Sequence, residues 1–284
     1  AFLLHEQRLF KTAQELKIMR RAGVISAEAH CRAMRESREG RYEYHLEGAI
    51  LHEFIENGAR AAAYNSIVGG GPNACVLHYT ENRDKLRDGD LVLIDAGCEY
   101  QGYAADITRT FPVSGRFSPE QRALYEVVLK AQLAAIAKVK PGNTWNQPHD
   151  ATVRVITRGL IELGLLKGKE RDLIKSEAYK DFYMHRAGHW LGMDVHDVGD
   201  YRIDGRWRQL EPGMVLTIEP GIYVSPTNTK VAKKWRGIGV RIEDDVAVTA
   251  EGCEVFTDGV PKTIEGIEKL MAAGEFYSPF WQIC

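Results

Sequence analysis

The sequence predicts a mixed α/β (α+β) protein, built as two α-α-β halves around one curved antiparallel sheet with helices packed on one face. Three observations carry that expectation. Residues 86–97 align with residues 210–221 at a constant offset of 124, with Leu, Gly, Ile, an acid and Gly coinciding. Each copy follows two helical segments. Each copy also contains an apolar strand that ends in an acid, Asp95 in the first and Glu219 in the second.

Taken in order, Thr12 stands three residues before Glu15, the spacing of a capping box, and opens an amphipathic helix to about Arg35. A second helix covers about Tyr42–Asn57 and stops at Gly58. Asn65–Val68 leads into Gly69–Pro72, which reads as a breaker cluster. Leu91–Ile94 reads as a buried strand. Ser118 and Gln121 form another capping box, with Pro119 at the first helical position. That helix runs to about Val139, where Pro141-Gly142 ends it. Thr144 and Gln147 repeat the spacing and start a helix to about Leu163. Strands return at Met214–Ile218 and Gly237–Thr249. No low-complexity linker divides the chain, so residues 1–284 read as one domain.

Composition narrows the function classes. Of 284 residues, 44% are hydrophobic and 27% charged, which suits a globular protein with a sizeable core and excludes disordered, collagen-like or disulfide-scaffold classes. A net charge of −2 gives no basic field for nucleic acid or an acidic membrane. No apolar run approaches the ~18 residues of a membrane helix. Five scattered cysteines point to free thiols in a reducing, cytoplasmic compartment. With Ala1 first, a processed or shortened chain is expected, its targeting information lost.

Acids that end apolar strands call for a partner, because burying an unpaired charge is costly. Asp95 follows Leu91–Ile94, and Asp106 follows Tyr103-Ala104-Ala105, with turn material between. A turn centred between Tyr100 and Gln101 makes Asp95 and Asp106 direct partners, with Cβ atoms about 5 Å apart. Such a pair repels unless a cation or a shared proton lies between. A repeated hairpin in the second half opposes Glu219 and Glu243 in the same way. Four converging carboxylates suit two divalent cations such as Mn²⁺. Acids merely exposed at strand ends are the alternative that spacing alone leaves open.

Nine histidines are present. His5, His30, His45, His52 and His149 have no partner pattern and read as ordinary surface or core residues. His185, His189 and His196 fall within twelve residues among glycines, and His78 follows the Gly69–Pro72 cluster. His185 and His189 have the i, i+4 spacing of a zincin, but Arg186 replaces the required Glu and the glycines oppose a helix, which rejects that motif. One imidazole as metal ligand and the others as proton carriers or carbonyl partners suits the carboxylate cluster better. A phosphate-binding loop at Gly69–Gly71 is set aside, since no Lys-Ser/Thr follows.

Together these residues resemble the pita-bread metallopeptidases, the family of methionine aminopeptidase, aminopeptidase P and prolidase. The resemblance runs from about Phe10 to Ala273. It is carried by Ile94-Asp95-Ala96-Gly97, Ala105-Asp106-Ile107-Thr108-Arg109-Thr110, Gly188-His189-Trp190-Leu191-Gly192, Thr217-Ile218-Glu219-Pro220-Gly221 and Arg241-Ile242-Glu243-Asp244-Asp245. Trp190, Val195–Gly199 and Gly237–Glu243 are most similar to the aminopeptidase P branch. The resemblance implies a manganese hydrolase that releases the residue ahead of proline from peptides, with no nucleic-acid or membrane partner and with homo-oligomer formation left open. A prolidase-like Xaa-Pro dipeptidase and a catalytically silent binding protein of the same fold are the alternatives. It also implies Asp95, Asp106, His189, Glu219 and Glu243 as ligands of two metals. Glu219 is then the general base. His78, His185 and His196 contact substrate and move protons. Arg241 braces Asp95, and Tyr223 supports the substrate site. Two departures stand out. Arg186 occupies a position where the family usually has Gly, which is expected to alter the substrate rim. Family members also usually carry an N-terminal domain ahead of the catalytic one, and none is expected within these residues.

Overall fold

The computed structural model describes residues 2–274. The aromatic segment 276–281 lies outside them. Helix α1 (Phe2–Leu9), which the sequence pattern does not signal, precedes the predicted α2 (Ala13–Glu36) and α3 (Glu43–Glu56). Thr12 caps α2 in a full capping box: its hydroxyl accepts from Glu15 N–H, and the Glu15 carboxylate accepts from Thr12 N–H at 2.6 Å. Burial of Met19, Ala22, Gly23, Ser26, Ala29, His30 and Ala33 puts one face of α2 inward at helical spacing.

Strands β1 (Ile67–Gly70), β2 (Leu91–Asp95) and β3 (Thr108–Pro112) form one antiparallel sheet with β2 central. Gly69 and Gly70, expected to break the chain, instead continue β1, and the break falls at the short 3-10 turn Gly71–Cys75. The second helical pair is α4 (Pro119–Ile136), with Ser118 and Gln121 capping each other, and α5 (Asn146–Glu162). Only half of the predicted α5 box forms. Gln147 accepts from Thr144 N–H at 2.7 Å, but the N-cap residue is Trp145, already in helical conformation. A short helix α6 (Glu170–Lys175) and a C-terminal α7 (Ile264–Gly274) complete the helices among the described residues.

The second half carries β4 (Val215–Ile218), β5 (Gly221–Val224), β6 (Ile238–Arg241), β7 (Asp244–Val248) and β8 (Cys253–Val255). The single strand predicted over Gly237–Thr249 is therefore two, β6 and β7. Every strand pair is antiparallel, as predicted, but the ladders divide into five small sheets among the described residues. Pro220 explains one division, because it has no N–H to donate between β4 and β5.

One core, including Ile25, Phe54, Val92, Phe111, Leu124, Ile156 and Val240, joins both halves. A second gathers Trp145, Trp190, Met214, Leu216 and Val246, with the two indoles 4.2 Å apart. Where the halves meet, a buried polar knot replaces a continuous ladder. Arg109 on β3 and Asp244 on β7 are both fully buried, with Nη2 to Oδ1 at 2.7 Å. Thr257 and Lys262 also donate to Asp244, at 2.7 and 2.6 Å, and Gln132 reaches it from α4. Arg109 further donates to Glu243 O at 2.6 Å.

Removing one partner of such a pair strands the other charge in the interior. Asp244→Ala is expected to lower unfolding stability by about 3–5 kcal/mol. Urea denaturation followed by tryptophan fluorescence measures it, and an unshifted midpoint contradicts the assignment.

Candidate metal centre

The first two acids come from the β2–β3 hairpin. Its turn lies one residue later than the spacing predicts: Tyr100 pairs with Tyr103 and Asp95 with Thr108, so Asp106 is not the direct partner of Asp95. The reason is the turn itself. Gln101 and Gly102 both take left-handed backbone (φ 52° and 82°), the two-residue geometry whose twist matches the flanking strands. Because the displacement is two residues, Asp106 keeps the same face as Asp95. The hydroxyl of Tyr64 lies 2.6 Å from Asp95 Oδ1 and 2.7 Å from Asp106 Oδ1.

The other two acids follow the predicted opposition. Ile218 pairs with Asp244 and Gly221 with Arg241. Carried through Pro220, that register sets Glu219 opposite Glu243, and Ile242 N–H donates to Pro220 O at 3.2 Å.

His189 is placed by the other edge of β4. Leu191 N–H donates to Val215 O, Thr217 N–H to His189 O and Glu219 N–H to Ala187 O, at 2.9–3.0 Å. Residues 187–191 thus run antiparallel beside the strand that ends in Glu219. Gly188 makes this approach feasible, since a Cβ there would sit 1.9 Å from Thr217 O. His189 Nδ1 lies 2.9 Å from Trp190 O, which can only accept, so Nδ1 carries a proton. Nε2 then faces the acids, 3.2 Å from Asp106 Oδ2 and 3.7 Å from Glu219 Oε1.

Asp95, Asp106, Glu219, Glu243, His78, His185, His189, His196 and Arg241 all line one cavity of about 650 Å³. Tyr223 does not line it. It lies beneath, buried, with its hydroxyl 2.9 Å from His185 Nε2 and accepting from Arg241 Nη1 at 3.1 Å. Arg241 Nη2 donates to Asp95 Oδ2 at 2.6 Å, as the shared strand face implies. His30 and His149 stay outside the site, as expected. Burial pushes both down to about 4, and His30 Nε2 lies 3.0 Å from Ala96 O.

The charge balance of this wall is unfavourable without a cation. The four carboxylates are approached by one guanidinium, that of Arg241, and by the imidazoles of His189 and, at 3.7 Å from Glu219, His185. One phenolic proton on Tyr64 cannot serve two carboxylates at once, so the second needs a proton or a cation. Burial, together with Asp106 and Asp95, pushes Glu219 up to about 7 against the pull of His189 and Arg241. Burial and the neighbouring acids drive Glu243 well above the carboxylate range. Burial opposes charge on His189, but the Asp106 bond and the Glu219 and Asp106 charges hold it at about 9. Ligand atoms of Asp106, His189 and Glu243 lie within 4.8 Å of one another, with three hard or borderline donors that fit a divalent ion.

Four supporting residues escaped the sequence reading. Tyr64 carries no sequence signal at all. Thr108 donates to Glu243 at 2.5 Å and accepts from Arg241 Nε at 3.1 Å. Thr217 accepts from His189 N–H at 3.1 Å and lies 3.3 Å from Glu219 Oε1. Asp245 accepts from Asp106 N–H. The last three lie inside the quoted motifs, where their i±2 spacing to a ligand or their place beside one was the available signal.

Comparison with known proteins agrees with this geometry. Over 271 residues the chain is 54% identical to an Xaa-Pro aminopeptidase of Escherichia coli (strain K12), covering 95% of this chain and 61% of that protein. A structure of Pseudomonas aeruginosa aminopeptidase PepP superposes with a TM-score of 0.96 at 64% identity, over 96% of this chain and 62% of that one. Escherichia coli aminopeptidase P in complex with substrate gives 0.94 at 53% identity, over 96% and 62%. The chain therefore spans about three fifths of the length of these relatives. Residues 17–250 match the profile of metallopeptidase family M24. Fold, acid-rich cavity and sequence agree, and the chain belongs to metallopeptidase family M24.

Proposed function

We propose that this chain is the catalytic unit of a dinuclear-metal Xaa-Pro aminopeptidase that uses manganese. The convergence of Asp95, Asp106, His189, Glu219 and Glu243 on one cavity wall carries that reading, together with the names of the relatives above. Asp95, Asp106, His189, Glu219 and Glu243 would hold the two ions, with Asp106, His189 and Glu243 already gathered as a ligand group. When bound, such ions would supply Lewis-acid polarisation of a carbonyl and would lower the pKa of a nearby water.

The chain's own groups do the rest. Glu219 takes the proton of the attacking water as general base. His196, exposed at the cavity and 4.4 Å from His189 between ring centroids, donates to the scissile carbonyl. His185 has both nitrogens engaged, Nδ1 with Arg186 O at 2.8 Å and Nε2 with Tyr223. Burial, with Arg241 nearby, pushes it down to about 3, so it is neutral and shapes the substrate wall through its ring rather than delivering a proton. His78, exposed on the same cavity, contacts the peptide carbonyls and protonates the leaving proline nitrogen. Arg241 keeps Asp95 oriented toward the ions. An Xaa-Pro bond offers no N–H, and the apolar faces of Leu77, Tyr201 and Trp207 on the cavity wall suit the pyrrolidine ring instead. Free thiols at Cys31, Cys75, Cys98 and Cys253 support a reducing, cytoplasmic setting.

Asp106→Ala is expected to lower kcat/KM on Xaa-Pro-Yaa tripeptides by about 10³-fold or more and to reduce bound metal from two ions per chain. Peptide hydrolysis and elemental analysis measure both, and undiminished turnover sinks the proposal. Hydrolysis confined to Xaa-Pro dipeptides favours a dipeptidase instead. Chelation of the metals is expected to lower the melting temperature by about 5 °C or more, because ion binding stabilises the folded chain. Restoration by Mn²⁺ checks it, and a melting temperature indifferent to both treatments counts against an ion site.

A further inference from the structure

The cavity is electrically polar from floor to rim. Its acids lie together, whereas the two arginines on its wall differ in state. Arg241 is spent on Asp95, Tyr223 and Thr108. Arg186 is exposed and makes no ion pair among the described residues. Its guanidinium donates to the neutral Asn146 Oδ1 at the start of α5 and lies 5.2 Å from the ring centroid of Trp207, which also lines the cavity. Those two contacts hold the guanidinium plane but satisfy only part of its five N–H donors. Arg202 stacks on the same indole at 3.9 Å and adds positive charge at that edge.

We propose that Arg186 is a specificity residue that pairs with a carboxylate on the leaving side of the peptide, above all the free C-terminal carboxylate of a short substrate. The inference rests on the peptidase reading above and adds a substrate class to it. Polarity sets the direction. With the charge of the acids taken up by bound ions, Arg186 and Arg202 leave the edge at Trp207 positive, which draws the anionic end of a peptide and repels its ammonium end. Only a short peptide brings its terminal carboxylate within reach of the guanidinium, so chain length and terminal charge are read together. A guanidinium in this position offers a planar fork for the carboxylate, which a lysine matches only as a point charge.

The test compares Ala-Pro-Ala with its C-terminal amide at low ionic strength, in the Mn²⁺-supplemented protein and in Arg186→Gln and Arg186→Lys. The unmodified protein is expected to favour the acid about three- to tenfold in kcat/KM, mainly through KM, with the preference shrinking as salt rises. Arg186→Gln should bring the acid-to-amide ratio close to one, and Arg186→Lys should retain part of it. An acid-to-amide ratio near one in the unmodified protein, or the same ratio in Arg186→Gln, overturns the inference while leaving the peptidase reading intact. Failure to cleave either peptide overturns both.

Discussion

Everything near the cavity answers to one constraint: four carboxylates share a buried wall. Isolated, each would resist ionisation, and together they repel. The surrounding structure supplies a graded response. Arg241 neutralises Asp95 directly, Tyr64 and Thr108 give hydroxyl protons, and Thr217 fixes the His189 backbone. What these donors leave over is the charge that divalent ions would take. A polar wall of this kind is weak support for stability and strong support for ligand binding.

The second constraint is where the halves join. A continuous sheet would have carried main-chain bonds across the junction. Here a main-chain bond from Glu243 N–H to Thr108 O at 3.0 Å is joined by side-chain contacts: Thr110 Oγ1 exchanges bonds with the Arg241 main chain, and Arg109 grips Asp244. The residues that join the halves are therefore neighbours in sequence of those that line the cavity. Glu243 faces the cavity, while Asp244 beside it points to the opposite side and locks the frame. Alternation along a strand gives one segment both tasks. The rigidity of the site and the integrity of the fold depend on the same few residues.

The floor and rim of the cavity divide the chemistry. Asp106, Glu243 and Arg241 lie buried at the floor, whereas His78, His196 and Arg186 are exposed beside the aromatic faces of Tyr201 and Trp207. His185 links the two levels. It lies 3.7 Å from Glu219 through Nδ1, and its neighbour Arg186 turns outward to Trp207.

The sequence by itself determined the local elements and the identity of the acids. Capping boxes at Thr12 and Ser118, the apolar run Leu91–Ile94 and the repeat at offset 124 are local signals, and each reappears in the structure. The opposition of Glu219 and Glu243 was legible because the pairing keeps one register on both sides of Pro220, Ile218 with Asp244 and Gly221 with Arg241. The opposition of Asp95 and Asp106 was not, because a one-residue change in the turn moves every pair, and backbone twist chose Gln101-Gly102. Tertiary structure alone decided the role of Tyr64, which lies 31 residues from Asp95 and 42 from Asp106. It alone decided the division of the sheet and the burial of Arg109 against Asp244. Those outcomes depend on which surfaces remain to be covered once both halves have folded together, a quantity that no local pattern encodes.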